Sequence, residues 1–485
     1  MSMLFNGLSG IVASQIALDT VSQNLANSLT PNYTRQGVAL SAKASTSIGN
    51  AAGNGVEATS LIRYADSYKT QQMWRANSNL GQYEAAQTYL LQMEQVMGDA
   101  SSGLSASLDN FFAALSAASV EPASSPLRQQ IIEEAKALGQ SVGNLAQIIS
   151  NQKDAIVQQR DVAVDELNSY VQQIAALNTQ IIQAHGAGLN TSALQDQRDA
   201  RVDDLSKLVG LQTMTQPDGS ISLSLRGGQP LVVGDRFATM DVASINGGYV
   251  MQVAFGNERF SLGAGGWQGT LGGLSMLETD MLIPLESSVR DMAKAIADEF
   301  NNILTQGYGV NPAVINAGPP VEYEKAPALF QYDPNSSASM LTVAKKNVPV
   351  DVNDPNAGTM EVELTSADLG LSSRGDEAGN SIQLQQLIAL QQKPVQIALL
   401  GNQVLLGDVY TQIVGKLGTY SQQSQAAYGT SKTVRDQSES NWRSTSAVNT
   451  DEEAVNLMQY QQMYQANMKV ISTANALFDS LLQLR

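Results

Sequence analysis

Residues 4–29 read LFNGLSGIVASQIALDTVSQNLANSL, and Leu4, Leu8, Ile11, Gln15, Leu18, Ser22, Leu25 and Leu29 fall on alternating steps of four and three. Residues 454–482 read AVNLMQYQQMYQANMKVISTANALFDSLL, with Ala454, Leu457, Gln461, Tyr464, Met468, Ile471, Asn475, Phe478 and Leu482 in the same rhythm. A stripe of that period is a coiled-coil seam, so each end of the chain is expected to be a long helix seeking another helix. The surface expected to join neighbours is therefore Leu4, Leu8, Ile11, Leu18, Leu25 and Leu29 at the start, with Leu457, Tyr464, Met468, Ile471, Phe478 and Leu482 at the end. Gln15, Ser22, Gln461 and Asn475 sit where leucine would bind more tightly, and polar seam residues restrict register at a cost in stability. A chain built this way reads as a building block rather than a catalyst.

Composition agrees. The net charge of −17, from 28 basic and 45 acidic residues, would repel the phosphates of nucleic acid. With no cysteine there are no disulfides and no thiolate metal sites. The apolar runs fall short of the roughly 20 residues of a membrane span, so no membrane insertion is expected. No Lys or Arg precedes Arg35, and Asn6, Ser9, Ser14 and Gln15 interrupt the apolar residues, which is not the pattern of a secretory signal peptide. Export would need another route.

Between the ends the chain changes character twice. Thr30-Pro31 closes the first helix, since proline disfavours helical geometry in the residue before it. Residues 38–62 read as strand or extended loop. Helical patterns follow over 66–97, 126–185 and 192–208. Between Gly210 and Gly273 lie 14 of the 39 glycines, and apolar residues begin to alternate, which marks a β-rich insert. There Leu211, Thr213 and Thr215 face Ile221, Leu223 and Leu225 across Pro217-Asp218-Gly219, a hairpin signal, and Asn246-Gly247-Gly248 marks a second turn. Helix returns over 273–306, with Leu285, Val289, Met292, Ile296 and Phe300 on one stripe. Residues 312–355 carry 7 of the 14 prolines and read as irregular or β, and 360–365 as one more strand. Helix resumes near Ser381, with breaks expected around Gly401 and Gly429.

The residues at both ends also resemble a known family. Asn24-Leu25-Ala26-Asn27 followed by Thr30-Pro31-Asn32-Tyr33-Thr34-Arg35-Gln36 resembles the N-terminal signature of the flagellar axial proteins, the rod, hook and junction components. Asn449-Thr450-Asp451-Glu452-Glu453-Ala454 and the run from Leu457 to Ala466 resemble their C-terminal signature. The motif positions are Asn24, Asn27, Pro31, Tyr33, Arg35, Asp451, Glu452 and Glu453. The stretches 193–199, 205–210 and 272–301 resemble the hook–filament junction members. Asn32 stands where the family usually has glycine, and asparagine tolerates the left-handed backbone that glycine would supply. Ala447 also replaces a common glycine and tolerates that backbone poorly, so the turn before the last helix is expected to differ.

The resemblance implies a structural subunit, not an enzyme, that forms the junction between hook and filament in the extracellular flagellum. It would leave through the flagellar type III system without a cleavable signal peptide and self-assemble as a ring or short helical tube. Its partners would be further copies of itself, hook protein, a second junction protein, and a cytoplasmic export chaperone on the C-terminal helix. No cofactor is implied. The expected fold is mainly α with a β-rich insert, discontinuous and multidomain. Residues 1–40 and 449–485 would form a terminal coiled-coil domain lining the tube. Residues 41–209, 270–306 and 375–448 would form a long-helix body, and 210–269 with about 307–374 an outer β domain. Because terminal helices with polar seam positions are marginal alone, the ends are expected to be mobile in the free subunit and to order on assembly. Rivals are another axial hook or rod protein, or a surface adhesin using the β-rich insert.

Candidate chemistry reads as structure. His185, the sole histidine, sits beside Gly186 at a helix end with no sequence-near carboxylate, so a helix-end role outweighs catalysis. Asp451-Glu452-Glu453 is expected to serve the dipole of a helix capped by Asn449 or Thr450. The charge run Asp196, Arg198, Asp199, Arg201, Asp203 and Asp204 reads as a solvated helix face, with Arg198 open to a role as a bridge between domains.

Overall fold

The computed structural model describes residues 2–43, 54–98, 103–245, 248–263, 267–310, 323–349 and 359–483. Helix α1 (Ser2–Ala26) leads into a hairpin, β1 (Gln36–Ala42) and β2 (Val56–Arg63). Four helices follow: α2 (Ser67–Met97), α3 (Leu104–Ala118), α4 (Ser125–Gly186) and α5 (Ser192–Leu208). Seven strands come next: β3 (Leu211–Thr215), β4 (Ile221–Leu225), β5 (Pro230–Val233), β6 (Arg236–Phe237), β7 (Thr239–Ile245), β8 (Gly248–Phe255) and β9 (Glu258–Leu262). Helix α6 (Gly269–Leu277) passes through a π turn (Glu278–Leu282) into α7 (Ile283–Leu304). Then come β10 (Phe330–Tyr332), β11 (Leu341–Val343), β12 (Lys345–Pro349), β13 (Thr359–Glu363), α8 (Ile382–Ala389), β14 (Pro394–Gln396) and β15 (Gln403–Leu405). The chain ends with α9 (Val409–Ser446) and α10 (Thr450–Gln483).

The described residues gather into two compact units: 1–83 with 161–272 and 428–485, and 84–160 with 273–427. The first unit holds the terminal helices, the β1-β2 hairpin and two larger antiparallel sheets, β3-β4-β5-β6 and β7-β8-β9. Its core joins Met73 and Trp74 of α2, Leu167, Val171 and Ile174 of α4, and Val202 and Leu205 of α5 to the apolar sides of the strands. Alternation in β4 explains how: Ile221, Leu223 and Leu225 are buried while Ser222 and Ser224 are less so. The second unit is built on α7, whose Leu285, Val289, Met292, Ile296 and Phe300 are wholly buried. Phe300 meets Phe111 of α3 and Phe330 of β10 with ring centroids 5.1 and 6.0 Å apart, a tilted and an edge-on pairing that suits the ring quadrupoles.

The mainly α fold with a β-rich insert is as expected, and the hairpin pairs Leu211 with Leu225, Thr213 with Leu223 and Thr215 with Ile221. Asn246 and Gly247 lie outside the described residues, as do 311–322 and 350–358 of the proline-rich segment. By this grouping 210–269 falls in the unit of the terminal helices and 307–374 in the other. Helix α3 lies outside the helical patterns read from the sequence, although Leu104, Leu108, Phe111, Phe112, Leu115 and Ala118 carry a helical spacing and are all buried. The break expected at Gly429 is absent, because α9 runs through it with open space around the glycine. The break near Gly401 is real and wider, taking in β14, β15 and two short 3-10 turns. By length and mean hydropathy, Met3–Ala26 is apolar enough to cross a membrane, contrary to expectation. Asp19 is the only charge in it, and one face of the helix is packed against α10.

Candidate assembly interface

The terminal helices pair with each other, but not along the leucine stripe. The buried positions of α1 are Gly7, Gly10, Ala13, Ser14, Ala17, Thr20, Val21 and Asn24, nearly all small. Small side chains let two backbones approach closely, and the approach is tight here. A Cβ built on Gly10 would lie 2.5 Å from the side chain of Asn467, and one on Gly7 would lie 2.8 Å from Ile471 Cγ1. The facing positions of α10 are Glu453, Asn456, Leu457, Tyr460, Tyr464, Asn467, Ile471 and Ala474. Of the twelve interface residues expected from the heptads, Leu457, Tyr464 and Ile471 thus look inward onto α1. Leu4, Ile11 and Leu18 are half-buried. Leu8, Leu25, Leu29, Met468, Phe478 and Leu482 face outward, Leu29 at 95% exposure.

The helix pair is pinned at the Asn24 end of α1 by a polar cluster made largely of motif residues. Asn24 Nδ2 donates to the Gln36 carbonyl at 2.8 Å and to Glu453 Oε2 at 3.1 Å. Its Oδ1 accepts from the Gln36 amide at 3.0 Å and from the Tyr33 hydroxyl at 2.9 Å. One buried carboxamide therefore joins α1, the turn after it, β1 and the first turn of α10. Burial, with the charges of Asp196 and Glu453 nearby, pushes the Tyr33 phenol up to about 12, so it is neutral and donates. Beside it, Arg35 pairs with Glu452 at 2.5 Å, lies 4.6 Å over the Tyr64 ring, and donates its backbone N–H to the Ser446 carbonyl at 2.8 Å.

The turn that brings Tyr33 and Arg35 back is made by Asn32, whose φ is +62°, the one non-glycine residue in left-handed backbone among those described. Asparagine supplies what glycine would. Ala447 is not left-handed, and the chain turns into α10 by other means: Asn449 Oδ1 accepts the Asp451 amide at 3.1 Å, a helix N-cap. Asn27 and Pro31 shape the turn locally, with Thr30 donating to Asn27 Oδ1 at 3.2 Å. The acidic triplet divides its work. Asp451 is exposed, Glu452 holds Arg35, and Glu453 is 2% exposed against Asn24. A purely solvated role in the helix dipole is corrected to that extent.

The charge run on α5 is corrected more fully. Asp196 and Arg198 are buried, and Arg63 of β2 reaches Asp196 at 2.7 Å and Asp199 at 2.8 Å. Asp196 Oδ2 accepts the Thr34 amide at 3.3 Å, so α5 buttresses the same turn. Burial pushes the Asp196 carboxyl up despite Arg63, whereas the two carboxylates raise Arg63. Arg198 donates to the Gly219 carbonyl at 2.8 Å, tying α5 to the β3–β4 turn within its own unit. Sequence reasoning missed Arg63, Tyr64 and the small-residue face of α1. The Gly-Gly-Ala-Ser-Ala spacing was the signal available for that face. His185 ends α4 exposed, and no group of three or more His, Cys, Asp or Glu that could hold a metal occurs among the described residues.

Known proteins match along the whole chain. Residues 90–318 fit the family described as flagellar hook-associated protein FlgK helical domain, and residues 443–484 fit flagellar basal body rod FlgEFG protein C-terminal. Flagellar hook-associated protein 1 of Salmonella typhimurium is 28% identical, with all of both chains covered. That of Escherichia coli is 26% identical, again with full coverage, and that of Bacillus subtilis 23%, over 99% of this chain and 98% of the relative. The solved flagellar hook junction protein FlgK from Burkholderia pseudomallei shares the fold, with a TM-score of 0.59 at 15% identity over 77% of this chain and 100% of that one. With relatives matched end to end and both motif-bearing ends accounted for, the chain is similar over its full length to flagellar hook-associated protein 1.

Proposed function

We propose that this chain is a structural, non-enzymatic subunit of the extracellular flagellum that sits at the junction between hook and filament and joins its neighbours through the α1–α10 pair. The observation that carries the reading is the outward face of that pair. Phe5, Leu8, Val12 and Leu25 of α1, with Leu29 just after it, and Val455, Met458, Leu477, Phe478 and Leu482 of α10 stand 42–95% exposed. So many large apolar side chains left uncovered on one helix pair are expected where something docks. The small-residue face of α1 holds it to α10, which leaves the exposed leucine and methionine positions for other subunits. Hook protein, a second junction protein and an export chaperone on α10 are the partners this surface would serve in turn. In the same reading the terminal helices line the tube, the long helices form its body and the β-rich segments project outward. The ends are loose in the free subunit and order on joining.

Deletion of the gene followed by electron microscopy tests the role. Hooks without filaments, with filament protein shed into the medium, are the expected result, and filamented cells would overturn it. Limited proteolysis of the purified chain tests the loose ends: cleavage within about residues 2–40 and 449–483 should precede cleavage of either core.

A further inference from the structure

The sulfur of this chain is divided sharply by burial. It has no cysteine, so methionine thioethers are its only sulfur. Met93, Met281, Met292 and Met340 are at most 1% exposed, deep in the second unit. By contrast Met458, Met463 and Met468 are 56, 39 and 48% exposed on α10, Met458 opposite the Tyr460–Tyr464–Ile471 side that meets α1 and the other two flanking it. Met3 of α1, Met214 of β3 and Met360 of β13 are exposed too, at 49, 63 and 51%, but only the α10 set and Met3 stand on the terminal helix pair. A soft, unbranched thioether adapts to more than one apolar partner, and it is also the apolar side chain that a mild oxidant changes most.

We propose that the thioethers of Met458, Met463 and Met468 are an oxidation site for peroxide-class oxidants, and that sulfoxide formation there stops a free subunit from joining its neighbours. The sulfur lone pair attacks one peroxide oxygen, the O–O bond breaks and an S–O bond forms. Hydrogen peroxide leaves as water, reduced by the two electrons the sulfur gives up. No thiol in the chain competes for the oxidant. Each sulfoxide oxygen is a strong acceptor that needs a hydrogen bond when buried, so a face that docks by excluding water docks poorly once oxidised. A subunit already joined has these sulfurs covered and is protected, which confines the effect to the free chain. The second half of the proposal rests on the assembly reading above.

The test exposes the purified full-length chain to graded hydrogen peroxide. Sulfoxide is then mapped by peptide mass spectrometry, and the treated chain is added to hooks isolated from a strain lacking the gene. Expected are sulfoxide at Met458, Met463 and Met468 at least about tenfold ahead of Met93, Met292 and Met340, and loss of hook-bound chain in step with it. A methionine sulfoxide reductase should restore binding. The M458L/M463L/M468L variant should keep binding after the same treatment. Even oxidation of buried and exposed methionines would overturn the site, and oxidised chain that binds as well as untreated chain would overturn the consequence. If untreated wild-type chain fails to bind hooks, the assembly reading itself falls, while the peptide map still decides the site.

Discussion

Four asparagines on helices do the same job in this chain. Asn24, Asn168, Asn178 and Asn301 each turn a carboxamide onto the backbone of a strand or strand edge, donating to a carbonyl and accepting an amide. A carboxamide has the donors and acceptor of a peptide group, so each acts as one residue of an extra strand and fixes helix against sheet. Asn178 is wholly buried, donating to the Ile221 and Gly234 carbonyls at 2.8 Å. Asn178→Asp would aim a carboxylate at two carbonyls, and a loss of about 2–3 kcal/mol is expected in a denaturant melt, with Asn178→Ala somewhat milder. Tyr33 makes a pH-dependent counterpart. Its phenol keeps its proton to about 12 in the folded chain and loses it near 10 when unfolded. The folded state thus binds more protons in that window, and stability should fall as pH rises through it. Tyr33→Phe should flatten that slope and remove the last-titrating phenolate from the near-ultraviolet absorbance. Of these residues only Asn24 and Tyr33 were legible in the sequence, through the family motif. Nothing local distinguishes Asn168, Asn178 or Asn301 from a surface asparagine, because their partners lie 28–72 residues away.

Elements set by local chemistry were read well. Helix α5 runs from Ser192 to Leu208 as the pattern predicts, and the Pro217-Asp218-Gly219 hairpin has the expected register. The π turn between α6 and α7 was not legible, and its reason lies across the unit. Lys153 and Arg160 are seven residues apart on α4, near two full helical turns. Their partners Glu286 and Glu278, paired at 2.5 and 2.7 Å, are eight apart. On an unbroken α-helix the eighth residue would swing about 80° off the shared face. The π turn absorbs the extra residue and returns Glu278 to Arg160. Deleting the exposed Asp280 should therefore convert the π turn to α, keep both ion pairs, and leave the melting temperature unchanged or raised. Deleting Ala295 from α7 should rotate Ile296 and Phe300 out of the core and abolish the transition. Thermal melts followed by circular dichroism separate the two outcomes.

At the scale of the molecule, neither hydrophobic core includes a residue of α1 or α10. The terminal pair is held by its own small-residue packing and the cluster around Asn24. Joining neighbours should then be separable from folding. Ile471→Asp would place a carboxylate against Gly7 of α1, splitting the pair. The core transition should move by less than about 0.5 kcal/mol, while incorporation into the flagellum is lost. Collapse of that transition in the variant would contradict the separation.

By itself the sequence determined where this protein is helical at each end, that its centre holds strands, and which family it resembles. Those properties live in side-chain period, turn chemistry and motif, all of which act over a few residues. Only the tertiary structure decided which face of α1 meets α10. Both the leucine stripe and the Gly-Ala-Ser face have helical spacing, and only the shape of the facing helix selects the small one. It also decided that Asp196, Arg198 and Glu453 are buried rather than wet, because the residues that surround them come from distant parts of the chain.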